Sequence, residues 1–313
     1  MSLFLAVLLA TICSNAAPLI QERGIGADLL SKLNLMEQYA SAAYCASNYG
    51  STGDQITCAS GNCPSVEDAD SSSVIEYSRT ETSTDVTGFV AVDHTNNLIV
   101  VAFRGSSTID TWLTDLDFDT VTTDICPGCT AHHGFWNSWV DARDRVLPAV
   151  KQASTAFPAY QITVTGHSLG GAIATLAAAE LRKSAYTVAL YTYGAPRIAG
   201  NKTSSYITKQ TGGNYRVTHW NDPVPKLPPL IMGFVHISPE YYINKPNKQD
   251  VEMNDIKTYE GAINLRGNSA WIKVDIEAHR WYFRSVYACN AKKTSRGLQI
   301  RGAQETVDIL ATF

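Results

Sequence analysis

Charge is scarce in this 313-residue chain: 17% of residues are charged, beside 45% hydrophobic and 10% aromatic. That composition excludes a disordered polyelectrolyte. An excess of one sign is also missing. The net charge is −4 with seven histidines counted as neutral, which leaves no basic footprint for a nucleic-acid backbone. No apolar run in the mature sequence approaches the ~20 residues needed to cross a bilayer. Internal repeats are absent, and the one biased stretch is polar, from Glu67 to Ser73. What remains is a globular chain long enough to bury about three quarters of the surface its unfolded form exposes.

Seven cysteines are present, an odd number. Leu3 to Ile12 is a short apolar run followed by Ser14, Asn15, Ala16 and Ala17, the pattern of a secretory signal with a cleavage site after small residues. Residues 1–17 are therefore expected to leave, taking Cys13, with residues 18–23 as a pro-segment ending at Arg23. The remaining six cysteines suit three disulfides of a secreted protein, for which sequence alone permits about fifteen pairings. Cys58 with Cys63 and Cys126 with Cys129 are local pairs, leaving Cys45 and Cys289. Cys126-Pro-Gly-Cys129 also has the spacing of a redox or zinc motif. It stands in a turn ahead of His132 and His133 rather than opening a helix after a strand, which favours a structural bridge and loop packing for the histidines.

Periodicity predicts helices over Gly26–Tyr44, Asp141–Phe157 and Leu169–Ser184, and strands over Val86–Asp93, Leu98–Arg104, Gln161–Thr165, Val188–Tyr193 and Tyr215–His219. Strands alternating with helices predict an α/β fold with a central, mostly parallel sheet flanked by helices. No linker interrupts residues 24–289, which are read as one domain, with 290–313 as a polar tail.

The most informative segment is ITVTGHSLG, Ile162 to Gly170, running directly into an Ala-rich helix. Strand, G-x-S-x-G turn and helix together form a nucleophile elbow, in which Ser168 sits on a tight turn with glycine neighbours. The helix N-terminus supplies positive partial charge and a free N–H at Leu169 for an oxyanion. A serine nucleophile needs a base, and the base an acid, in the chain order Ser, Asp, His. Asp222 lies just past a strand, where a loop projects it towards Ser168. His219 breaks the chain order. His236 sits in the apolar stretch GFVHIS, whereas His279 sits in DIEAHRWYF and is preferred.

A second segment, Phe103 to Phe118, places Ser106 after a strand. It then sets Ile109, Trp112, Leu113 and Leu116 on one helical face. An ordinary surface helix would show the same pattern. Beside an active site, such a helix also serves to close an apolar cleft and to open at a lipid surface.

From about Asp28 to Cys289 the chain resembles the class 3 lipases of filamentous fungi. The resemblance rests on AAYC (Ala42–Cys45), ITCASGNCP (Ile56–Pro64), FRGSSTIDTWLTDLDF and DICPGCTAHHGFW (Asp124–Trp136). It continues through GHSLGGA (Gly166–Ala172), NYRVTHWNDPVPKLPP (Asn214–Pro229), SPEYY (Ser238–Tyr242) and DIEAHRWYF (Asp275–Phe283). It implies an α/β-hydrolase-like fold and a secreted serine esterase, with Ser168 as nucleophile, His279 as general base and Asp222 as its acid. Ser106 and Leu169 would form the oxyanion hole, and Ile109, Trp112, Leu113 and Leu116 would belong to the lid, with Asp115 holding the Ser106 hydroxyl. The pairings Cys45–Cys289, Cys58–Cys63 and Cys126–Cys129 are also those the family implies.

The expected substrate is an acylglycerol, a triacylglycerol first, at an oil–water or membrane interface. A phospholipase A1, a mono- or diacylglycerol lipase, or a feruloyl esterase are alternatives on the same scaffold. A catalytically idle surface-binding protein is the alternative of another class. The serine chemistry requires no metal or organic cofactor, and the expected protein is an extracellular monomer that touches lipid only peripherally. Asn201-Lys202-Thr203 is a glycosylation sequon.

Overall fold

The computed structural model of the protein describes residues 24–77, 83–109 and 117–290. The expected signal and pro-segments, Cys13 and the tail beyond Asn290 lie outside the described residues. In chain order the strands are β1 (Ser71–Tyr77), β2 (Gly88–Asp93), β3 (Leu98–Phe103), β4 (Thr120–Thr122), β5 (Thr130–His132) and β6 (Gln161–His167). They continue with β7 (Val188–Tyr193), β8 (Ala199–Gly200), β9 (Asn214–His219), β10 (Phe234–Val235), β11 (Glu240–Ile243) and β12 (Ile256–Tyr259). The helices are α1 (Ala27–Ala42), α2 (Pro64–Glu67), α3 (His133–Ala156), α4 (Leu169–Lys183), α5 (Asn201–Lys209) and α6 (Ile276–His279).

Among the described residues one sheet runs in the order β1-β2-β3-β6-β7-β9-β11-β12. Its centre, β3-β6-β7-β9-β11, is parallel, while β1, β2 and β12 join antiparallel at the two edges. A parallel sheet is covered on both faces, so its strands read as nearly continuous apolar runs. LIVVAF of β3 shows how the period of two divides such a run. Ile99, Val101 and Phe103 join Trp139 and Val146 of α3 and Leu176 of α4. Val100 and Ala102 join Leu33, Met36 and Tyr39 of α1 on the opposite face. Each Val, Leu, Ile, Met or Phe among them, fully buried, contributes about 1.5–3 kcal/mol.

The structure differs from the sequence reading at the ends and edges. Helix α3 begins at His133, eight residues ahead of the expected start, because β5 hands the chain straight into it. The His132 ring then accepts the Phe135 N–H at 3.4 Å and stacks on the Phe135 ring. The polar stretch ending at Ser73 leads into an edge strand, β1, in which Ser71 and Ser73 are buried. Ser71 receives the Tyr39 hydroxyl at 2.8 Å, and Ser73 bonds the Glu76 carboxylate. Three disulfides, Cys45–Cys289, Cys58–Cys63 and Cys126–Cys129, join the six described cysteines. The first ties the end of α1 to the C-terminal segment across 244 residues of sequence.

Candidate active site

Strand β6 ends at His167 and α4 starts at Leu169, so Ser168 alone makes the turn, at φ 58° and ψ −129°. That conformation is strained for any residue with a Cβ, and strain of this kind concentrates at functional sites. Gly166 and Gly170 are needed for a different reason than positive φ. A Cβ on Gly166 would stand 2.3 Å from the Gly170 oxygen, and one on Gly170 would stand 2.2 Å from the Phe103 oxygen. The elbow is therefore folded tightly on itself and against the end of β3. Tyr193 of β7 accepts the Ser168 N–H at 2.8 Å, and Ser168 O accepts the N–H groups of Gly171 and Ala172. The first N–H groups of α4, Leu169 among them, have no acceptor within the helix.

Asp222 follows β9 in a loop held by hydrogen bonds from beneath. Arg197 donates to the carbonyls of Lys226 and Pro228, and the Asp222 Oδ1 accepts the Val224 N–H at 2.8 Å. The carboxylate faces His279: Nδ1 lies 2.8 Å from Oδ2 and 3.0 Å from Oδ1. Tyr282 donates its hydroxyl to Oδ2 at 2.6 Å. Burial, reinforced by the Asp222 charge, holds the Tyr282 phenol well above its ordinary range, so it stays a donor.

Asp222, His279 and Ser168 are all buried. Ser168 Oγ and His279 Nε2 have no hydrogen-bond partner among the described residues. Gly194 shows how closely the three gather. It follows Tyr193, which binds the Ser168 N–H, and a Cβ there would stand 2.8 Å from Asp222 Oδ2 and 2.9 Å from His279 Cε1. A carboxylate-held imidazole with a free distal nitrogen, beside a serine hydroxyl, is a base and nucleophile arrangement.

His236, His219, His132 and His133 each bond other groups. His236 lies 2.7 Å from the Pro225 oxygen through Nε2, and burial drives its pKa well down. His219 lies between the carbonyls of Ala278 and Lys245. His132 bonds the Asp117 carbonyl and the start of α3, and His133 bonds Asn137.

On the other side of Ser168, β3 leads into Gly105 and Ser106. A Cβ on Gly105 would stand 3.0 Å from Ser168 Cβ, so the next residue, half-buried Ser106, borders the elbow. The Ser106 hydroxyl accepts the Thr108 N–H at 3.3 Å. Ile109 is buried. Trp112, Leu113, Leu116 and Asp115 lie outside the described residues. Tyr282, Tyr44 and His167 were not singled out by the sequence reading. The first stands within DIEAHRWYF and the others beside Cys45 and Ser168, but nothing in their spacing gives their partners.

Parallel strands with covering helices, an elbow at the C-terminal end of β6, and the chain order serine, aspartate, histidine define an α/β-hydrolase-like protein. Two family models match the sequence: lipase (class 3) over residues 100–232, and lipase 3 N-terminal region over residues 4–73. A secreted mono- and diacylglycerol lipase A from Penicillium cyclopium is 43% identical over 274 residues, covering 86% of this chain and 89% of the relative. A secreted mono- and diacylglycerol lipase 1 from Fusarium solani is 42% identical over 261 residues, covering 83% and 78%. The crystal structure of a mono- and diacylglycerol lipase from Aspergillus oryzae superposes with a TM-score of 0.80 at 45% identity, covering 83% of this chain and 98% of that one. The chain belongs to the class 3 lipases.

Proposed function

We propose that the protein is a secreted, monomeric enzyme that hydrolyses carboxylic ester bonds of acylglycerols, with Ser168 as nucleophile. The observation that carries this reading is the buried Asp222–His279 pair, whose unpartnered Nε2 gathers around Tyr193–Gly194 with Ser168 and its equally unpartnered Oγ. His279 Nε2 takes the Ser168 proton as Oγ attacks the ester carbonyl. The oxyanion rests on the backbone N–H groups of Ser106 and Leu169, each worth about 3 kcal/mol of barrier. His279 then protonates the departing glyceride alcohol, and water, deprotonated by the same imidazole, cleaves the acyl-enzyme. Asp222 holds the tautomer and stabilises the imidazolium.

Contact with a lipid surface is supported by the rim of a cleft of about 300 Å³ lined by Pro223, Leu227, Trp271 and Val274. Ile231, Leu265 and Ile272 on its edge are 87%, 67% and 79% exposed, an unusual concentration of large apolar side chains in water. Pro223 is the neighbour of Asp222, so the rim adjoins the catalytic loop. The segment Ile109 to Leu116 serves as the lid, and Asn201, exposed at the start of α5, is the glycan acceptor.

Among acylglycerols, the relatives of 42–43% identity carry names of mono- and diacylglycerol lipases, which favours partial glycerides alongside triacylglycerols. Ser168→Ala should leave no measurable hydrolysis of emulsified triolein or dioleoylglycerol. Activity retained at even a tenth of the wild type would sink the assignment. Initial rates on these two and on phosphatidylcholine vesicles decide the substrate, and dominant phospholipid cleavage would replace it with a phospholipase.

A further inference from the structure

Helix α6, which delivers His279, is a single turn that ends in the protein interior. Asp275 caps its start, accepting the Glu277 N–H at 2.9 Å. The last carbonyls of a helix have no partner within it, and Ala278 and His279 are buried away from water. Two histidine rings meet those carbonyls. His167 Nε2 lies 2.7 Å from the His279 oxygen, and His219 Nδ1 lies 2.9 Å from the Ala278 oxygen.

The two partners of His167 settle which ring nitrogen carries the proton. The Tyr44 hydroxyl is 2.7 Å from His167 Nδ1, while Nε2 faces a carbonyl oxygen that can only accept, so the ring carries its proton on Nε2 and Nδ1 accepts from the Tyr44 hydroxyl. Burial holds the Tyr44 phenol well above its ordinary range and the His167 imidazole well below its own, so both are neutral at neutral pH.

We infer that His167, oriented by Tyr44, and His219 are positioning residues of the hydrolysis: the His167 ring N–H holds the last carbonyl of α6, the His219 ring is wedged between the carbonyls of Ala278 and Lys245, and together they fix His279 relative to Ser168. The inference rests on Ser168 and His279 being nucleophile and base. The placement explains why two rings converge on one turn. His167 closes β6 immediately before Ser168. His219 closes β9, and its carbonyl accepts the Asp222 N–H at 3.0 Å. The strand that carries the nucleophile and the strand that carries the acid therefore both grip the turn that carries the base. The His167 and His279 rings are 4.4 Å apart between centroids, so neither shifts without the other.

The test compares His167→Met, His167→Gln, His219→Met and Tyr44→Phe on a soluble ester, with organophosphate labelling of Ser168 and thermal melting. Misplacing a reacting group by an ångström costs about a hundredfold. Each Met variant should therefore lower kcat, and the labelling rate with it, by about ten- to a hundredfold, while KM stays near the wild type. His167→Gln, whose amide reaches the position of Nε2, should regain most of the loss, and Tyr44→Phe should lose severalfold. Labelling of either Met variant at the wild-type rate would overturn the role of that ring. Equal losses in His167→Gln and His167→Met, tracking equal drops in melting temperature, would reduce His167 to packing. Should His167→Met not fold, Tyr44→Phe decides, and wild-type kcat there would overturn the relay. Failure to label Ser168 in the wild type would instead refute the reading of the nucleophile itself.

Discussion

Glu37 is a carboxyl group of α1 with no exposure to water. The Ser41 hydroxyl donates to its Oε1 at 3.4 Å, while Oε2 has no hydrogen-bond partner among the described residues. Burial outweighs the attraction of the Arg284 charge and raises the pKa from 4.5 to about 8. Below pH 4.5 the group is protonated in both the folded and the unfolded chain and has no effect on the balance. Between pH 4.5 and about 8 the unfolded chain releases this proton and the folded one keeps it. Each pH unit of that interval lowers stability by about 1.4 kcal/mol. The loss reaches about 3 kcal/mol at pH 7 and levels off above pH 8, a large share of the roughly 5–15 kcal/mol that holds a typical domain.

Glu37→Gln removes the titration and keeps the shape of the protonated acid, with its carbonyl oxygen placed to accept from Ser41. Urea unfolding of the two proteins at pH 5, 6, 7 and 8 should therefore show a difference that grows in favour of Gln. The increase from pH 5 to pH 7 should be about 2–3 kcal/mol, or several degrees of melting temperature. A difference that stays flat across this range would show that Glu37 is not protonated in the folded protein. A difference that reverses sign would show that Arg284 satisfies an ionised carboxylate.

Asp222→Asn should lower kcat on a soluble ester by about 10⁴-fold in stopped-flow or burst measurements, because an amide stabilises the wrong imidazole tautomer. Replacing Cys45 and Cys289 together by alanine should cost about 2–5 kcal/mol in unfolding experiments, since that bridge closes nearly the whole domain in the unfolded chain. Ile231→Asp with Ile272→Asp should abolish co-sedimentation with lipid vesicles and leave soluble-ester hydrolysis unchanged. Vesicle binding at the wild-type level would move the lipid-contact surface elsewhere.

How much of the fold was legible depended on where each segment lies in the sheet. Strands β3, β6, β7 and β9 sit in its interior, where both faces are covered, so their apolar composition declared them within a residue or two at most ends. Strand β1 did not declare itself. Its serines read only as part of a polar stretch because what makes them strand residues is the hydroxyl of Tyr39, 32 positions away, together with a ladder on β2. Strands β11 and β12 are four residues each; β11 owes its pairing to Arg216–Val217–Thr218–His219 of β9 alongside, and β12 pairs in turn with β11, not through any pattern of their own. Helix α3 was legible over its polar, periodic half, and hidden where its start is buried among Phe135, Trp136 and Trp139.

In the site the division is sharper. Ser168 could be found because the elbow is local: a strand, a turn that contact restricts to glycine, and a helix, all within a short span of sequence. Asp222 and His279 could be found only by combining chain order with family resemblance, because 57 residues separate them and their bond is a tertiary one. Tyr282 lies three residues from His279, and its hydroxyl binds the same carboxylate oxygen. A tyrosine in an aromatic run is, by pattern alone, a core residue, and its polar end is assigned only when the fold supplies an acceptor. His167 and His219 make the same point more strongly. Each was visible beside Ser168 or Asp222, yet as a residue next to a site rather than one that shapes it. What gives them a role is a pair of backbone carbonyls at the end of α6, and carbonyls leave no mark in sequence. A hydrogen bond from a side chain to a buried main-chain oxygen is specified by the fold on one side alone, so the residues that align the base become visible only after the backbone is in place.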